Sequence, residues 1–496
     1  MQIDNDADAR FAATTQSFLT WFQSLPGATF RSDLIAIEDL RSRNAGRGIV
    51  ARTDIAADTV LFTIPRSSII CTATSALKNE IPGIFDLEGD EDGNSDSGGE
   101  DGTSSSQDSW TLLILILIYE YLQGDASQWK PYLDVLPSAF DTPMFWSPTE
   151  LAELQASALV TKVGREEADR MIRSKILPVI RGHDHVFFPH GRQRLDDDQL
   201  FELAHRMGSA IMAYAFDLEK DDDANEEASE QDEWVDDREG RTMLGMVPMA
   251  DMLNADAEFN AYINHGADSL TATALRTIKA GEEILNYYGP LPNGELLRRY
   301  GYVTPKHARY DVVELPWDLI EAGLRERVGD RMSPADWEQV NKLTRSDDDF
   351  EESFVLERSS EDPDSTGQLE GDATFTGLPD ELSDQFKTFL KATKTVGHVD
   401  LVSDKDTRKV VFLQVVFDAL RARERQYATS LEDDQSLVDA GQLTERQRMG
   451  VWVRMGEKQL LREAQTWVQH QMGGLQDRVS DDLRQDDGPA AKRRRT

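Results

Sequence analysis

Residues 243–303 read MLGMVPMADMLNADAEFNAYINHGADSLTATALRTIKAGEEILNYYGPLPNGELLRRYGYV, and this stretch decides the fold. It holds an Asp-Met-Leu-Asn turn (Asp251 to Asn254), then Gly-Glu-Glu-Ile running into Tyr-Tyr-Gly (Gly281 to Gly289). A second tyrosine pair, Tyr-Gly-Tyr, follows at Tyr300 to Tyr302. The pattern predicts short strands and turns that gather aromatic hydroxyls, amides and glycines. Such a set orients a substrate by hydrogen bonds and lets backbone approach a ligand closely. No nucleophilic Ser or Cys stands beside a base, and no metal-ligand cluster is visible.

Working outward, the chain of 496 residues is long enough for two to three domains. Its net charge of −38 is concentrated in a few interruptions. That acidity predicts repulsion of nucleic acid and attraction of basic partners, weakened by salt. The single cysteine, Cys71, excludes an internal disulfide and points to a reducing compartment. The acidic start lacks the apolar core of a secretory signal. The longest apolar run, Leu112 to Ile118, is too short to cross a bilayer, so a soluble intracellular protein is expected with no membrane partner.

Upstream, Phe11, Phe18, Leu19, Phe22 and Leu25 recur at near-helical spacing and predict an opening helix. Residues 33–70 read as three strands, with Gly46 and Gly48 flanking Arg47 in a turn where positive φ and close approach are expected. Residues 86–109 and 217–239 are acidic inserts, expected to be disordered. Residues 110–123, 149–177 and 196–216 read as helices. His183, His185 and His190 match no standard zinc spacing and are read as surface-loop residues. After Val303 come a strand at 310–315, a helix from Trp317, a polar region at 345–368 and an all-helical part at 381–471. The end carries Lys492-Arg-Arg-Arg495, read as a nuclear-import signal.

Three separated segments match one family in order. Asn44-Ala-Gly-Arg-Gly-Ile-Val-Ala-Arg with Leu61-Phe-Thr-Ile-Pro65 resembles the opening of a SET domain, the lysine methyltransferase fold. Met246-Val-Pro-Met-Ala-Asp-Met-Leu-Asn254 resembles its cofactor-binding turn. Gly281 to Gly289 and Asn293 to Tyr302 resemble its catalytic close. The chain is similar to the Rubisco-methyltransferase-like group, with a helical insert in the SET domain and a helical substrate-binding domain after it. The expected class is therefore α+β, SET sheets followed by an all-α domain. The expected division is 1–29 N-terminal helix, 30–85 first SET part, 86–109 acidic loop and 110–240 helical insert. The catalytic SET part (241–312), the helical substrate-binding domain (313–472) and a tail (473–496) complete it.

The resemblance implies S-adenosylmethionine as cofactor, held by Ala45, Gly46, Arg47, Gly48, Tyr214, Asn254, Ala255 and Tyr300. It implies Tyr288 as the catalytic tyrosine, with Trp129, Tyr214 and Tyr288 lining the substrate lysine. For Trp129 and Tyr214 a core-packing role stands beside the site role. One departure matters: the family has Asn-His where this chain has Asn254-Ala255. Methyl transfer to an amine is an in-line displacement, so alignment is the main demand. A lysine of ordinary pKa about 10.4 must arrive neutral, which an apolar channel and a nearby sulfonium favour. The expected activity is protein-lysine N-methylation of a basic protein, a large-subunit ribosomal protein first, a histone or nuclear regulator second. A catalytically silent acidic binding module, resting on Ala255, is the alternative from another class. The nucleus, with the cytoplasm, is the expected location.

Overall fold

The computed structural model describes residues 2–43, 45–84, 103–189, 193–219, 242–346, 350–397 and 405–486. Its strands in chain order are β1 (Thr29–Phe30), β2 (Ile35–Asp39), β3 (Arg47–Ala51), β4 (Val60–Pro65), β5 (Ala215–Glu219) and β6 (Thr242–Met246). They continue as β7 (Asn254–Ala255), β8 (Ala261–His265), β9 (Ser269–Ala274), β10 (Glu283–Asn286), β11 (Val313–Pro316) and β12 (Ser353–Leu356). One sheet runs β1-β4-β9-β8 and a second β2-β3-β10-β7, while β5-β6 and β11-β12 are two-stranded. Each larger sheet thus joins strands from before residue 66 to strands from after residue 253. β9 shows why: Leu270, Ala272 and Ala274 are buried in strict alternation, giving it one core face that β4 and β8 share. The helices between, from Thr103–Gln123 to Asp197–Tyr214, are looped out of this split sheet system.

The helix Gln2–Ser24 seats Phe18 and Phe22 in the same core, with Phe18 6.1 Å from the ring of Tyr132. A separate core around Trp317, Phe354, Phe386, Phe389, Leu420 and Leu460 belongs to the C-terminal helices. A small apolar cluster of Trp146, Leu154, Leu159, Leu297, Met449 and Val453 joins the two. Beside it lies a buried ionic knot in which Asp434 pairs with Arg454 and Lys458, and Arg454 reaches Glu153. No helix among the described residues is long and apolar enough to cross a membrane.

Several expectations need correction. The helix expected at 149–177 is broken into Pro148–Leu151, Leu159–Lys162 and Arg165–Met171 with 3-10 and π turns, because Gln155 (φ +52°) and Gly164 (φ +71°) leave helical geometry. The helix expected to reach residue 216 ends at Tyr214, and Ala215 begins β5. The acidic insert 217–239 therefore starts inside a strand: β5 pairs antiparallel with β6, Ala215 opposite Met246. Residues 103–109 of the acidic segment 86–109 belong to the helix Thr103–Gln123. The remaining parts of both inserts lie outside the described residues. The polar region 345–368 contains β12, paired along β11. The tail begins as helix, since Glu445–Asp486 runs past residue 472, while the basic cluster 492–495 lies outside the described residues. His183 and His185 sit in short helical turns, with the His183 Nδ1 3.0 Å from the Val179 carbonyl; His190 lies outside the described residues.

Candidate functional site

The β5–β6 hairpin builds the site. The helix Asp197–Tyr214 opens on a capping box between Asp196 and Gln199 and delivers Tyr214 at its last position. The chain crosses to β6 and returns through Val247-Pro-Met-Ala-Asp251, so Tyr214 and the Asp251 turn share one end of the hairpin. There they border a cavity of about 600 Å³, together with Ala45, Gly46, Arg47, Met252 and Asn254. The opposite wall comes from Arg10, Phe11 and Thr14 of the N-terminal helix and from Val135 to Ala139.

Gly46 and Gly48 have different jobs. Gly46 sits at φ +61° with open space around it, a left-handed turn residue. Gly48 is instead a point of contact, since a Cβ there would lie 2.4 Å from Leu40 Cδ1 and 2.7 Å from Glu283 Oε1. Above it, Asn254 Nδ2 donates to Glu283 Oε1 (2.7 Å) and to the Arg47 carbonyl (3.1 Å). The Asn254 amide is thus a tie across β3, β7 and β10. Arg47 is a strut: its guanidinium donates to Thr14 Oγ1, Thr15 Oγ1 and the Val135 carbonyl and lies 3.9 Å from the centre of the Phe11 ring. Its side chain is thus committed to the frame of the site.

Deeper in, Tyr288 donates its hydroxyl to the Leu253 carbonyl (3.0 Å) and stacks on Tyr300 at 4.8 Å. Gly301 ends the helix Asn293–Tyr300 in a left-handed cap at φ +78°, where a Cβ would lie 3.0 Å from the Asp141 backbone. That turn lets Tyr302 face back and donate to the Ala255 carbonyl (3.3 Å). Burial raises the pKa of Tyr288 well above the ordinary phenol value, followed by the influence of Tyr300, Tyr302, Tyr214 and Asp251. Burial likewise raises Tyr214, Tyr300 and Tyr302. All four phenols therefore stay protonated at neutral pH, as donors and acceptors but not bases.

Trp129 does not border the cavity. It is 2% exposed, and its indole N–H donates to the Ser68 carbonyl at 2.8 Å, which makes it a core residue of the insert. Three residues on, Tyr132 reaches the site, its hydroxyl donating to Asp251 Oδ2 (2.7 Å). Sequence reasoning gave neither Tyr132 nor Asp251 a role, and it left out Phe11 and Thr14. Ala255 contributes through its backbone, in the parallel β7–β10 ladder opposite Asn286 and through the bond from Tyr302. Tyr287 turns away and stacks on Phe259 at 4.6 Å.

Among the described residues, Tyr214 is the one tyrosine on the cavity wall, and Tyr288, Tyr300, Gly48 and Ala255 lie outside its lining. Split sheets around a helical insert, this cavity and a helical C-terminal unit make up a SET fold. The family model described as SET domain matches residues 46–289, and the one described as Rubisco LSMT substrate-binding matches residues 332–461. The chain thus carries a SET domain followed by a domain that matches the Rubisco LSMT substrate-binding model. It is 33% identical to ribosomal lysine N-methyltransferase 4 of Saccharomyces cerevisiae over 323 residues, 64% of this chain and 60% of that protein. It is 32% identical to N-lysine methyltransferase SETD6 of Mus musculus over 269 residues, 53% of this chain and 49% of that one. The Bos taurus SETD6 aligns over 90% of this chain and 94% of its own length at 27% identity. The chain thus spans 60% and 49% of the first two relatives. In fold it matches a structure of Rubisco LSMT bound to AdoMet, with a TM-score of 0.59 at 20% identity, covering 95% and 96% of the two chains.

Proposed function

We propose that this protein is an S-adenosylmethionine-dependent protein-lysine N-methyltransferase. The observation that carries the reading is Tyr288: half-buried, fixed to the Leu253 carbonyl, stacked on Tyr300, and within electrostatic reach of the two cavity residues Tyr214 and Asp251. The cavity suits the cofactor. It is of the size of a small-molecule site, mixes polar and apolar walls, and carries the open Gly46 turn and a buried carboxyl with an unpartnered oxygen. Of the residues that border it, the Ala45–Gly46 turn, Tyr214 and Asn254 would hold it, with Tyr300 behind Tyr288 outside the lining. When bound, the cofactor supplies an electrophilic methyl group on a cationic sulfur.

The chain's own residues do the rest by alignment. The Tyr288 hydroxyl has its proton committed to Leu253, so its oxygen accepts an N–H of the incoming amine and turns the lone pair toward the methyl donor. The rings of Tyr214, Tyr300 and Tyr302 enclose the aliphatic stem and exclude water. A protonated lysine cannot react, and the neutral phenols do not deprotonate it; the apolar surroundings favour loss of that proton to solvent or to an anion.

The substrate we propose is a basic protein, a ribosomal protein in the first instance, supported by the likeness to the yeast relative and by the net charge of −38. Nuclear residence is proposed from the Lys492–Arg495 cluster. The backbone role of Ala255 favours an active enzyme over a silent binding module, because the ladder and the Tyr302 bond do not require an imidazole. Labelled methyl transfer to ribosomal proteins and histones offered side by side tests this. A labelled ribosomal protein is expected; label on histones alone would move the substrate to chromatin. No transfer, with no thermal stabilisation by cofactor, would leave the binding module.

A further inference from the structure

Asp251 is the one carboxyl on the cavity wall that stands among the tyrosines. It is 9% exposed, its Oδ2 accepts the Tyr132 hydroxyl at 2.7 Å, and its buried Oδ1 has no donor in hydrogen-bonding geometry, although the Met249 and Asp251 amides lie near the carboxyl. The turn that presents it is strained. Met249, two residues earlier, sits at φ +84° and ψ −35°, a region L residues rarely occupy, and is fully buried. A strained turn holding a half-satisfied buried carboxyl is unfavourable for folding alone. Such a feature calls for a cationic ligand that completes it.

Resting on the methyltransferase reading, we infer that the Asp251 carboxylate is the site's charge-sensing group, stabilising the cationic sulfonium donor over its neutral thioether product. Methyl transfer moves the positive charge from sulfur to the substrate nitrogen. An anion on the cavity wall therefore holds the donor before reaction and releases its hold on the sulfur afterwards. Asp251 is a positioning and binding residue here, and Tyr132 steadies it. The groups that face it are Tyr132 from the helix Lys130–Leu133, Tyr214 from the helix Asp197–Tyr214, and Tyr288. All three stay neutral. Across the cavity stand Arg47, Arg10, Arg41 and Asp134; Arg41 is engaged by Asp39 and Asp8. Burial pushes the Asp251 carboxyl from 3.8 up to about 7, against the Tyr132 bond and the Met249 and Asp251 amides that lower it. The charge that favours the sulfonium is thus present above that range and lost below it.

The test is calorimetric binding of S-adenosylmethionine and S-adenosylhomocysteine to the full chain across roughly pH 5.5 to 8.5. In the wild type the ratio of the two affinities should rise with pH, by about tenfold if the sulfonium moves the carboxyl by one pKa unit. In D251N the rise should vanish, and the comparison removes the contribution of the ligands' own amines. Y132F, which keeps the carboxyl but removes its donor, should move the midpoint of the rise to higher pH. This second variant carries the test if D251N does not fold. A ratio with the same pH course in wild type and D251N, or an unmoved midpoint in Y132F, overturns the inference while leaving the methyltransferase reading intact. Failure of the wild type to bind either compound overturns both.

Discussion

Gly48→Ala strikes the frame of the site without touching a tyrosine. The new methyl would lie 2.4 Å from Leu40 Cδ1, 2.7 Å from Glu283 Oε1 and 2.9 Å from Asn254 Nδ2. Leu40 can turn aside, but Glu283 and Asn254 are bonded to each other at 2.7 Å over this very atom. Overpacking of this kind costs about 1–3 kcal/mol. Parting a hydrogen bond to a charged acceptor adds about 1.5–3 kcal/mol, the lower half applying at a partly exposed carboxylate. Together these come to roughly 2.5–5 kcal/mol. Gly46→Ala is the control, because its Cβ meets nothing within 4 Å and only the left-handed φ of +61° resists it, by about 1–2 kcal/mol. Chemical denaturation and cofactor titration of the two variants should find Gly48→Ala less stable and weaker in binding, since Asn254 carries both the tie and a cavity wall. A Gly48→Ala protein as stable as Gly46→Ala, with wild-type affinity, would refute the tie.

Two further substitutions probe the seam between the SET part and the C-terminal helices. Asp434→Asn leaves Lys458 buried without its anion and Arg454 with Glu153 alone, and should cost about 3–5 kcal/mol in denaturant unfolding; a loss under about 1 kcal/mol would mean water already screens the knot. Glu457, held by Ser157 and Tyr427 at 2.6 Å each, is pushed by burial from 4.5 up to about 7. Its folded pKa exceeds its unfolded one, so its contribution is complete below about pH 4.5 and is lost as pH rises through about 7. Glu457→Gln should therefore melt increasingly above the wild type as pH is raised from about 5 to 8, and a constant difference across that window would contradict a titrating Glu457.

The sheets and the tyrosine end of the site were legible because their determinants are local. Alternation marks β9, Gly301 separates Tyr300 from Tyr302, and the Gly46–Gly48 turn announces a backbone-lined pocket. What was not legible depends on contacts across the chain. Tyr132 and Asp251 are 119 residues apart, and nothing local to either names the other. Trp129, which the sequence offers for the substrate channel, is a core residue, and Tyr132 three positions later is the one that reaches Asp251. The first helix was legible as a helix, but not as the wall that braces Arg47 through Thr14 and Thr15. The strand β5 was hidden because its residues run into acid, and only pairing with β6 holds them extended.

The most direct measurement is single-turnover methyl transfer by wild type and Tyr288→Phe, each with cofactor affinity determined in parallel. Removing the hydroxyl takes away one bond to the Leu253 carbonyl, about 0.5–1.5 kcal/mol of stability, and leaves the stack on Tyr300. Folding and cofactor binding should hold nearly unchanged while the rate falls by about 10²-fold or more, the scale for loss of an orienting group at the reacting atoms. A Tyr288→Phe enzyme that transfers methyl groups at the wild-type rate would contradict Tyr288 as the aligning residue, and with it the geometry on which the proposed chemistry stands.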